Sequence, residues 1–319
     1  MDERQSPVDS TQDLLVVGSV NEDHFTFVTA FPRPGETVAA VAARRGLGGK
    51  GANQAVAAAR AGARVRFLAK VGSDGAGSDA IDALQRAGVI ADAVEQDVHG
   101  ATGTASIAVD ATGENWVIVD PGANARITVE SIDREFDRRG SASVVLAQAE
   151  IPGDAIERAA ARAHEAGARF VLNLAPVIAI AEETLRACDP LVVNEHEAAS
   201  IVAARGGIAT TPAELASALG EIARSVVITL GSAGAVAAAR GRVWDVPGFR
   251  VDSVVDTTGA GDAFVGSLCA RLAAGDDLEA AMVWASAAAS LSVERPGAAE
   301  SYAAAREVEQ RLLAAGVSA

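Results

Sequence analysis

Short β-branched runs alternate along the chain with longer alanine-rich segments in which apolar residues recur at helical spacing. The runs predict strands at Leu14–Val17, Val65–Val71, Val144–Gln148, Phe170–Leu174, Leu191–Val193 and Val226–Leu230. The longer segments predict helices at Gly51–Ala61, Gly77–Ala87, Asp154–Ala166, Glu195–Arg205 and Pro212–Arg224. Because strands that alternate with helices run parallel, the pattern predicts a doubly wound α/β fold, in which helices flank both faces of a mainly parallel sheet.

Two stretches, 22–47 and 102–120, interrupt this pattern. In both, Thr, Val, Phe and Trp alternate with polar residues and the helical period is absent, which predicts antiparallel strands inserted into the α/β body. Since the two stretches are alike in character, we expect them to pair into one small β-sheet that covers a ligand site as a lid. Residues 1–12 are polar and acidic, and we expect a disordered leader there, followed by a single domain over 13–319.

Composition narrows the classes of function. The 319 residues are 50% hydrophobic, so the chain can bury a large core. Its 27 Lys and Arg against 42 Asp and Glu give a net charge of −15, which argues against a nucleic-acid or membrane partner. Cys188 and Cys269 are far apart and lack the spacing of a zinc or redox site, which indicates a reducing cytoplasm. Because the net charge is negative, any bound phosphate must be held by nearby backbone amides, a metal ion or a few basic side chains.

The most informative segment is 255–266, which reads VDTTGAGDAFVG. Gly259 and Gly261 allow the backbone to approach a ligand, and Asp262 stands at the start of a predicted helix. Free amides at a helix start attract phosphate oxygens, and a carboxylate beside them can accept a proton from an attacking hydroxyl. Alone, this motif would most simply be a tight turn with a helix cap. Together with the other motifs of the chain, it indicates phosphorylation of an alcohol.

A second glycine-rich loop, Gly48–Gln54, carries Lys50 and Asn53. It is not a P-loop, because glycine instead of Ser or Thr follows the lysine. A loop that brings an ammonium and a carboxamide close to the backbone suits a polyhydroxyl ligand, although a simple helix-entry turn would look the same. Asn21 and Asp23 follow the first predicted strand, and an aspartate there can accept hydrogen bonds from two vicinal hydroxyls.

Further polar residues follow other predicted strands, at the edge where ligands bind in such sheets. Glu150 is either a ligand-binding carboxylate or a helix-dipole carboxylate. Asn194 and Glu197 are candidates for nucleotide phosphates or the water shell of Mg²⁺. The turn at 229–234 suits a nucleotide. A dinucleotide-like match at Gly75–Ala80 explains none of these other motifs.

Together, these motifs resemble the ribokinase-like, or pfkB, family of sugar kinases over nearly the whole chain after the leader. Two signatures carry the resemblance: Gly-Gly-x-Gly-x-Asn at Gly48–Asn53 and Asp-Thr-x-Gly-Ala-Gly-Asp at Asp256–Asp262. The chain is most similar to the members that act on ribose, which share Gly18–Asp23, Phe31–Thr37, Pro121–Asn124 and Asn194–Glu197. The resemblance implies ATP-dependent phosphorylation of D-ribose at its 5-hydroxyl, giving ribose 5-phosphate and ADP. A family kinase for deoxyribose, a nucleoside or fructose, or a sensor without turnover, is the alternative.

The resemblance also implies site residues by position. Asp262 would be the base, with an anion hole formed by Gly259, Ala260 and Gly261. The sugar contacts would be Asn21, Asp23, Gly49, Lys50, Asn53, Glu150 and Asp262. ATP and Mg²⁺ would face Asn194, Glu197, Thr229, Leu230, Gly231, Ser232, Ala233, Gly234, Gly261 and Ser286. A potassium ion would be held, mostly by backbone carbonyls, at Asp256, Thr258, Ser292, Arg295, Gly297 and Ser301. Lids of this family pair two subunits, so a homodimer is expected.

Overall fold

The computed structural model describes residues 13–140 and 142–317, so the predicted leader at 1–12 lies outside the described residues. The strands are β1 Asp13–Val17, β2 Asn21–Phe27, β3 Ala42–Gly48, β4 Arg64–Gly72, β5 Ile90–Asp97, β6 Gly103–Val109, β7 Asn115–Asp120, β8 Val144–Gln148, β9 Arg169–Asn173, β10 Cys188–Asn194, β11 Ser225–Thr229, β12 Gly234–Ala239 and β13 Arg242–Pro247. The helices are α1 Lys50–Arg60, α2 Gly75–Arg86, α3 Val129–Arg139, α4 Gly153–Glu165, α5 Glu182–Ala187, α6 Glu195–Ala204, α7 Pro212–Leu219, α8 Ala260–Ala273, α9 Leu278–Ser292 and α10 Ala305–Ala314.

A nine-stranded sheet runs in the order β13-β12-β11-β10-β9-β8-β1-β4-β5. All neighbours from β11 to β5 are parallel, and β12 and β13 extend one edge as an antiparallel pair. This confirms the predicted α/β class with a mainly parallel sheet. The central strand β1 is buried along its whole length, as expected for a strand covered on both faces.

The side chains of β1 divide between two hydrophobic cores, because successive residues of a strand point to opposite faces. Leu14 and Val16 pack with helices α1, α2, α8, α9 and α10. Leu15 and Val17 pack with α3, α4, α5, α6 and α7 on the other face. On the first face, α8 packs between α1 and α9 and is buried on nearly all sides. The start of α8 is therefore covered by neighbouring elements.

A separate four-stranded sheet, called here the small sheet, has the order β3-β2-β6-β7. The outer pairs β2–β3 and β6–β7 are antiparallel, as predicted, but the central pair β2–β6 is parallel, so the prediction of antiparallel strands was wrong there. The reason is connectivity: β2 and β6 are not joined by a hairpin, since β3, α1, β4, α2 and β5 lie between them, and a long crossover permits parallel pairing.

Predicted and observed element ends agree within two residues except at β10 and α7. The strand β10 begins at Cys188, three residues before the predicted start. The helix α7 ends at Leu219, although helical spacing was predicted to continue to Arg224. Beyond the helix, the amides of Ile222 and Ala223 still donate to the Leu219 carbonyl, so turns instead of a regular helix lead to the start of β11 at Ser225. Both cysteines are buried as free thiols, and no helix of the described chain is long and apolar enough to cross a membrane.

Candidate active site

Polar residues follow the parallel strands at one edge of the large sheet. Ser19, Glu150, Asn173, Asn194 and Thr229 stand at or just after the carboxyl ends of β1, β8, β9, β10 and β11. The start of α8 lies at the same edge, beside two cavities of about 160 Å³ and about 810 Å³. Since the carboxyl ends of parallel strands form the ligand edge of such a sheet, this is the candidate active site.

The backbone at the start of α8 requires glycine. Gly259 has a φ of 74°, and a Cβ there would lie 2.6 Å from the hydroxyl of Tyr302 and 2.9 Å from the Cβ of Ala298. Tyr302 also donates a hydrogen bond to the Gly259 carbonyl (3.1 Å). The amide of Ala260 already donates to the Thr257 carbonyl (3.2 Å), whereas Gly261 lines both cavities. Of the three residues of the predicted anion hole, Gly259 also lines the smaller cavity and Ala260 also lines the larger one.

Asp262, in the first turn of α8, is only 8% exposed. Its Oδ1 accepts a hydrogen bond from Gln54 Nε2 (2.8 Å) and its Oδ2 accepts one from Asn53 Nδ2 (3.0 Å). Burial raises the pKa of the carboxyl, while the charge of Lys50 and the two amide donors oppose that rise. The Asp262 carboxylate in turn raises the pKa of Lys50. A carboxylate with a raised pKa and fixed donors is suited to accept a proton.

The loop between β3 and α1 packs against the chain that follows β1. Gly49 has a φ of 86°, and a Cβ there would lie 2.9 Å from the Asn21 amide nitrogen. Glu150 Oε2 accepts two hydrogen bonds, one from the Lys50 amide (2.9 Å) and one from the Ser19 hydroxyl (2.6 Å). One carboxylate therefore ties the ends of β1 and β8 to the glycine-rich loop.

Asn21 and Asp23 are the first and third residues of β2, and both side chains are buried. Asn124 donates to Asn21 Oδ1 (2.8 Å) and accepts from the Val20 amide (2.8 Å), which orients Asn21. Asp23 Oδ1 and Asn53 Oδ1 are buried acceptors with no hydrogen-bond partner within the described residues. Because leaving a buried acceptor unpaired is unfavourable, these two oxygens are suited to the hydroxyls of a ligand.

Asn194 and Glu197 form a capping box at the start of α6. Asn194 Oδ1 accepts from the Glu197 amide (2.9 Å), and Glu197 Oε2 accepts from the Asn194 amide (2.7 Å). Both residues nevertheless line the smaller cavity, beside Lys50 and Asp262. Ala233 is the one residue of the predicted nucleotide set that lines neither cavity. The predicted residues that line the larger cavity are Asn194, Thr229, Leu230, Gly231, Ser232, Gly234, Gly261 and Ser286.

The predicted potassium residues fall into two groups. Asp256 accepts from Thr258 through both the amide (2.9 Å) and the hydroxyl (2.6 Å), and it also accepts from the Gly297 amide (3.0 Å). Burial alone would raise the pKa of Asp256, but these hydrogen bonds hold it below its usual value. The side chains of Ser292 and Ser301 donate to backbone carbonyls, and the guanidinium of Arg295 pairs with Glu307. The latter three side chains are thus directed to other partners.

Several residues of the site were not predicted, and two of them contact one another beside Asp262. Gln54 belongs to the glycine-rich motif, but its contact with Asp262 could not be foreseen. Asn173 is the last residue of β9 and lines the smaller cavity. Its place at a strand end was the available signal.

Comparison with known proteins identifies the family. The profile of the pfkB family of carbohydrate kinases matches residues 11–305. The chain belongs to this family. The pfkB kinase is 36% identical over 301 residues to the ribokinase of Bacillus subtilis, an alignment that covers 94% of this chain and 99% of the relative.

Solved ribokinase structures have the same fold. The ribokinase of Thermotoga maritima superposes on the pfkB kinase with a TM-score of 0.87 at 34% identity, covering 94% of this chain and 99% of the other. The ribokinase of Arabidopsis thaliana, solved with ribose and ATP, gives a TM-score of 0.85 at 29% identity and covers 94% and 98% of the two chains.

The burial of Asp23 predicts a pH-dependent stability. Burial first, and then the charges of Glu150, Asp262 and Glu300, raise the pKa of Asp23 to about 7, against a partial opposing effect of His24. In the unfolded chain the pKa lies near the ordinary value of 3.8. The folded state therefore binds this proton more tightly, so the stability that it contributes at low pH is lost as the pH rises through about 7.

Asp23→Asn mimics the protonated acid. We expect the ligand-free variant to melt at a higher temperature than the wild type at pH 8, and the difference to shrink at pH 5, as measured by differential scanning fluorimetry. Asp79→Asn, an exposed change in α2, is the matched control and should alter neither melting temperature. Equal melting temperatures of Asp23→Asn and wild type at pH 8 would contradict the expectation.

Proposed function

We propose that this pfkB kinase transfers the γ-phosphoryl group of ATP to the 5-hydroxyl of D-ribose, giving ribose 5-phosphate and ADP. The observation that carries the proposal is the position of Asp262. It lies at the start of a helix, within hydrogen-bond distance of Asn53 on the proposed sugar side, and it lines the cavity shared with Asn194 and Thr229. The similarity to ribokinases, one of them solved with both ribose and ATP, supports the choice of substrates.

On the sugar side, the buried acceptors Asp23 Oδ1 and Asn53 Oδ1 would accept hydrogen bonds from ribose hydroxyls. An aspartate can accept from two vicinal hydroxyls, which a pentose provides. Asn21, Gly49, Lys50 and Glu150 would complete the sugar contacts, and the small sheet, which supplies Asn21 and Asp23, would act as the lid of this pocket.

In the reaction, Asp262 would accept the proton of the 5-hydroxyl as the hydroxyl oxygen attacks the γ-phosphorus. The bond between the γ-phosphorus and the bridging oxygen of the β-phosphate would break, and ADP would leave. The phosphoryl group would lie at the anion hole, where the Gly261 amide and the positive end of the α8 dipole stabilise its charge. The ammonium of Lys50, whose pKa the Asp262 carboxylate raises, stays protonated and adds a positive charge to the same site. Gly259 would keep the hole open through its left-handed backbone conformation.

On the nucleotide side, ATP would occupy the larger cavity next to Ser286 and the 229–234 turn. The capping box uses one oxygen of Asn194 and one of Glu197, which leaves Glu197 Oε1 available to the waters of a magnesium ion. When bound, Mg²⁺ supplies positive charge that neutralises the phosphate oxygens.

A potassium ion would be held at the loop that contains Asp256. Asp256 stays ionised because hydrogen bonds hold its pKa low, and backbone carbonyls and hydroxyl oxygens are the ligands that a hard cation prefers. Asp256, Thr258, Ser292, Arg295, Gly297 and Ser301 would contribute these oxygens. A cation there would add positive charge beside the start of α8.

The exposed edge of the small sheet supports a homodimer. Trp116, Val117, Ile118 and Val119 of β7 are all exposed, although successive residues of a strand point to opposite faces. β7 is also an edge strand, so both its apolar side chains and its outer hydrogen-bonding edge are open to another chain. A second copy of the small sheet would cover them.

Asp262→Asn tests the role of the base. We expect kcat to fall by a factor on the order of 10² to 10⁴, with KM for ribose little changed, because the carboxylate acts in the transition state. Steady-state assays of ADP release with ribose measure both constants. Near-normal turnover of the variant would remove Asp262 from the mechanism.

Asp23→Ala is the comparison variant, and it should raise KM for ribose far more than it lowers kcat. The wild-type assay includes 2-deoxyribose, fructose and nucleosides. If kcat/KM were higher with one of these compounds than with ribose, that compound would be the preferred substrate. If the protein bound ribose without releasing any ADP, it would be a sensor instead of a kinase.

Exchange of KCl for choline chloride at constant ionic strength tests the cation site. We expect the choline salt to lower kcat several-fold and Asp256→Asn to abolish the response to potassium, because the variant removes the ionised ligand. Assays of ADP release with Asp252→Asn, an exposed carboxylate close in sequence, should still respond to potassium. Equal rates in the two salts would exclude a functional potassium site.

Ile118→Arg tests the homodimer. Ile118 is 74% exposed, so the charge should leave the fold intact while disrupting an apolar interface. In sedimentation velocity we expect the mass to fall from twice 32.2 kDa to 32.2 kDa. Val98→Arg, at a site 76% exposed outside the small sheet, should leave the dimer unchanged. A wild-type protein that sediments at 32.2 kDa would contradict the proposal.

A further inference from the structure

Two buried side chains join Asp262 to the backbone of the large sheet. Asn173 Nδ2 donates to the Val192 carbonyl (3.1 Å), and Gln54 Nε2 donates both to Asn173 Oδ1 (2.9 Å) and to Asp262 Oδ1 (2.8 Å). Gln54 is fully buried, and Asn173 and Asp262 are 7% and 8% exposed. We call this chain of contacts from Val192 to Asp262 the amide relay.

The relay has one direction, because a backbone carbonyl can only accept a hydrogen bond. Asn173 must therefore turn its amide nitrogen to Val192 and its oxygen to Gln54. Gln54 must then turn its own amide nitrogen to Asn173, and the same nitrogen faces Asp262. Rotation of either amide by 180° would bring two oxygens to within about 3 Å of each other, which is repulsive.

The orientation is retained although it leaves one polar atom unpaired. Gln54 Oε1 is buried and has no hydrogen-bond partner in the part of the chain that the structure describes. Most buried side-chain oxygens in proteins have a partner, since an unpaired one destabilises the fold. The arrangement is explained if the donor is needed at Asp262.

A fixed donor at Oδ1 favours the ionised form of Asp262 over the protonated form, because a carboxylate accepts a hydrogen bond more strongly than a neutral acid does. It also fixes the rotation of the carboxyl group, since Asn53 holds the other oxygen from the neighbouring position of α1. Both effects act before any ligand enters the site.

We infer that Gln54 and Asn173 are positioning residues that hold the Asp262 carboxylate ionised and oriented to receive the proton of the sugar hydroxyl. The inference rests on the proposed role of Asp262 as base. Gln54 lines neither cavity, so its influence on the reaction passes through Asp262.

Gln54→Met tests the relay, because methionine has a similar length and no amide donor. We expect kcat for ribose to fall by roughly 10- to 100-fold while KM changes by less than about 3-fold, since the lost interaction is one charge-assisted hydrogen bond to a group that acts in the transition state. The acidic limb of the kcat–pH profile should move up by about 1 pH unit. An unchanged profile would overturn the inference.

Asn173→Leu should give a smaller loss of kcat, because Gln54 remains but is free to rotate. In the Gln54→Met background, Asn173→Leu should lower kcat little further, since the two residues act through one contact. If the fold-loss of kcat in the double variant equalled the product of the two single losses, Asn173 would act separately from Gln54. That result would contradict the inference.

A matched control excludes a general loss of stability. Leu84 of α2 is fully buried and is not among the residues that line either cavity. Leu84→Ala should lower the melting temperature and leave the acidic limb of the kcat–pH profile in place. If Leu84→Ala moved that limb as Gln54→Met does, the shift would reflect a weakened fold and the inference would be wrong.

A second measurement does not depend on turnover. Carbon-13 NMR of aspartate-labelled, ligand-free protein follows the titration of the Asp262 carboxyl, with Asp262→Asn assigning the resonance. The midpoint should be higher in Gln54→Met than in the wild type, and equal midpoints would overturn the relay. Absence of ribose-dependent ADP release in the wild type would refute the proposed function, while this NMR comparison would still decide the relay.

Discussion

A carboxylate buried at the start of α8 needs compensation, since an ionised group without partners is strongly unfavourable away from water. For Asp262 the compensation comes chiefly from α1, which supplies the Lys50 charge and the amides of Asn53 and Gln54. These three residues lie within the first two turns of one helix, so α1 and α8 must pack in one register for the site to exist. The packing of these two helices on the large sheet therefore brings together the burial that raises the pKa of Asp262 and the groups that oppose this rise.

The two glycine-rich segments serve this packing through close backbone contact. A side chain at Gly49 would meet the backbone after β1, and one at Gly259 would meet Tyr302 and Ala298. In addition, a Cβ at Gly266 would lie 2.4 Å from the Gln54 carbonyl, so α8 approaches α1 closely at the central residue of the amide relay. Glycine at these three positions allows the backbone segments to approach closely. A larger residue there would keep the charged and amide groups of the site apart.

Much of the fold and part of the site were predictable from sequence. The strand periods of β1, β4, β8, β9 and β11 were clear, and the glycine-rich motifs located the starts of α1 and α8. The parallel pairing of β2 with β6 was not predictable, because alternation of polar and apolar residues is the same in either direction. Nor was the relay, since Gln54 contacts Asp262 and Asn173 across sequence separations of 208 and 119 residues. Orientation of an amide depends on neighbours that only the folded chain brings together.

The parallel pair β2–β6 also bears on the order of folding. Asn21 is paired with Gly103, so the two strands meet only after a long segment has been closed into a loop, at an entropic cost. That segment contains β4 and β5, which are consecutive neighbours of β1 in the large sheet. Once β4 and β5 have paired beside β1, the start of β2, which follows β1, is already close to the start of β6, which follows β5. Contact order thus favours a sequence in which the large sheet assembles first and the small sheet forms last.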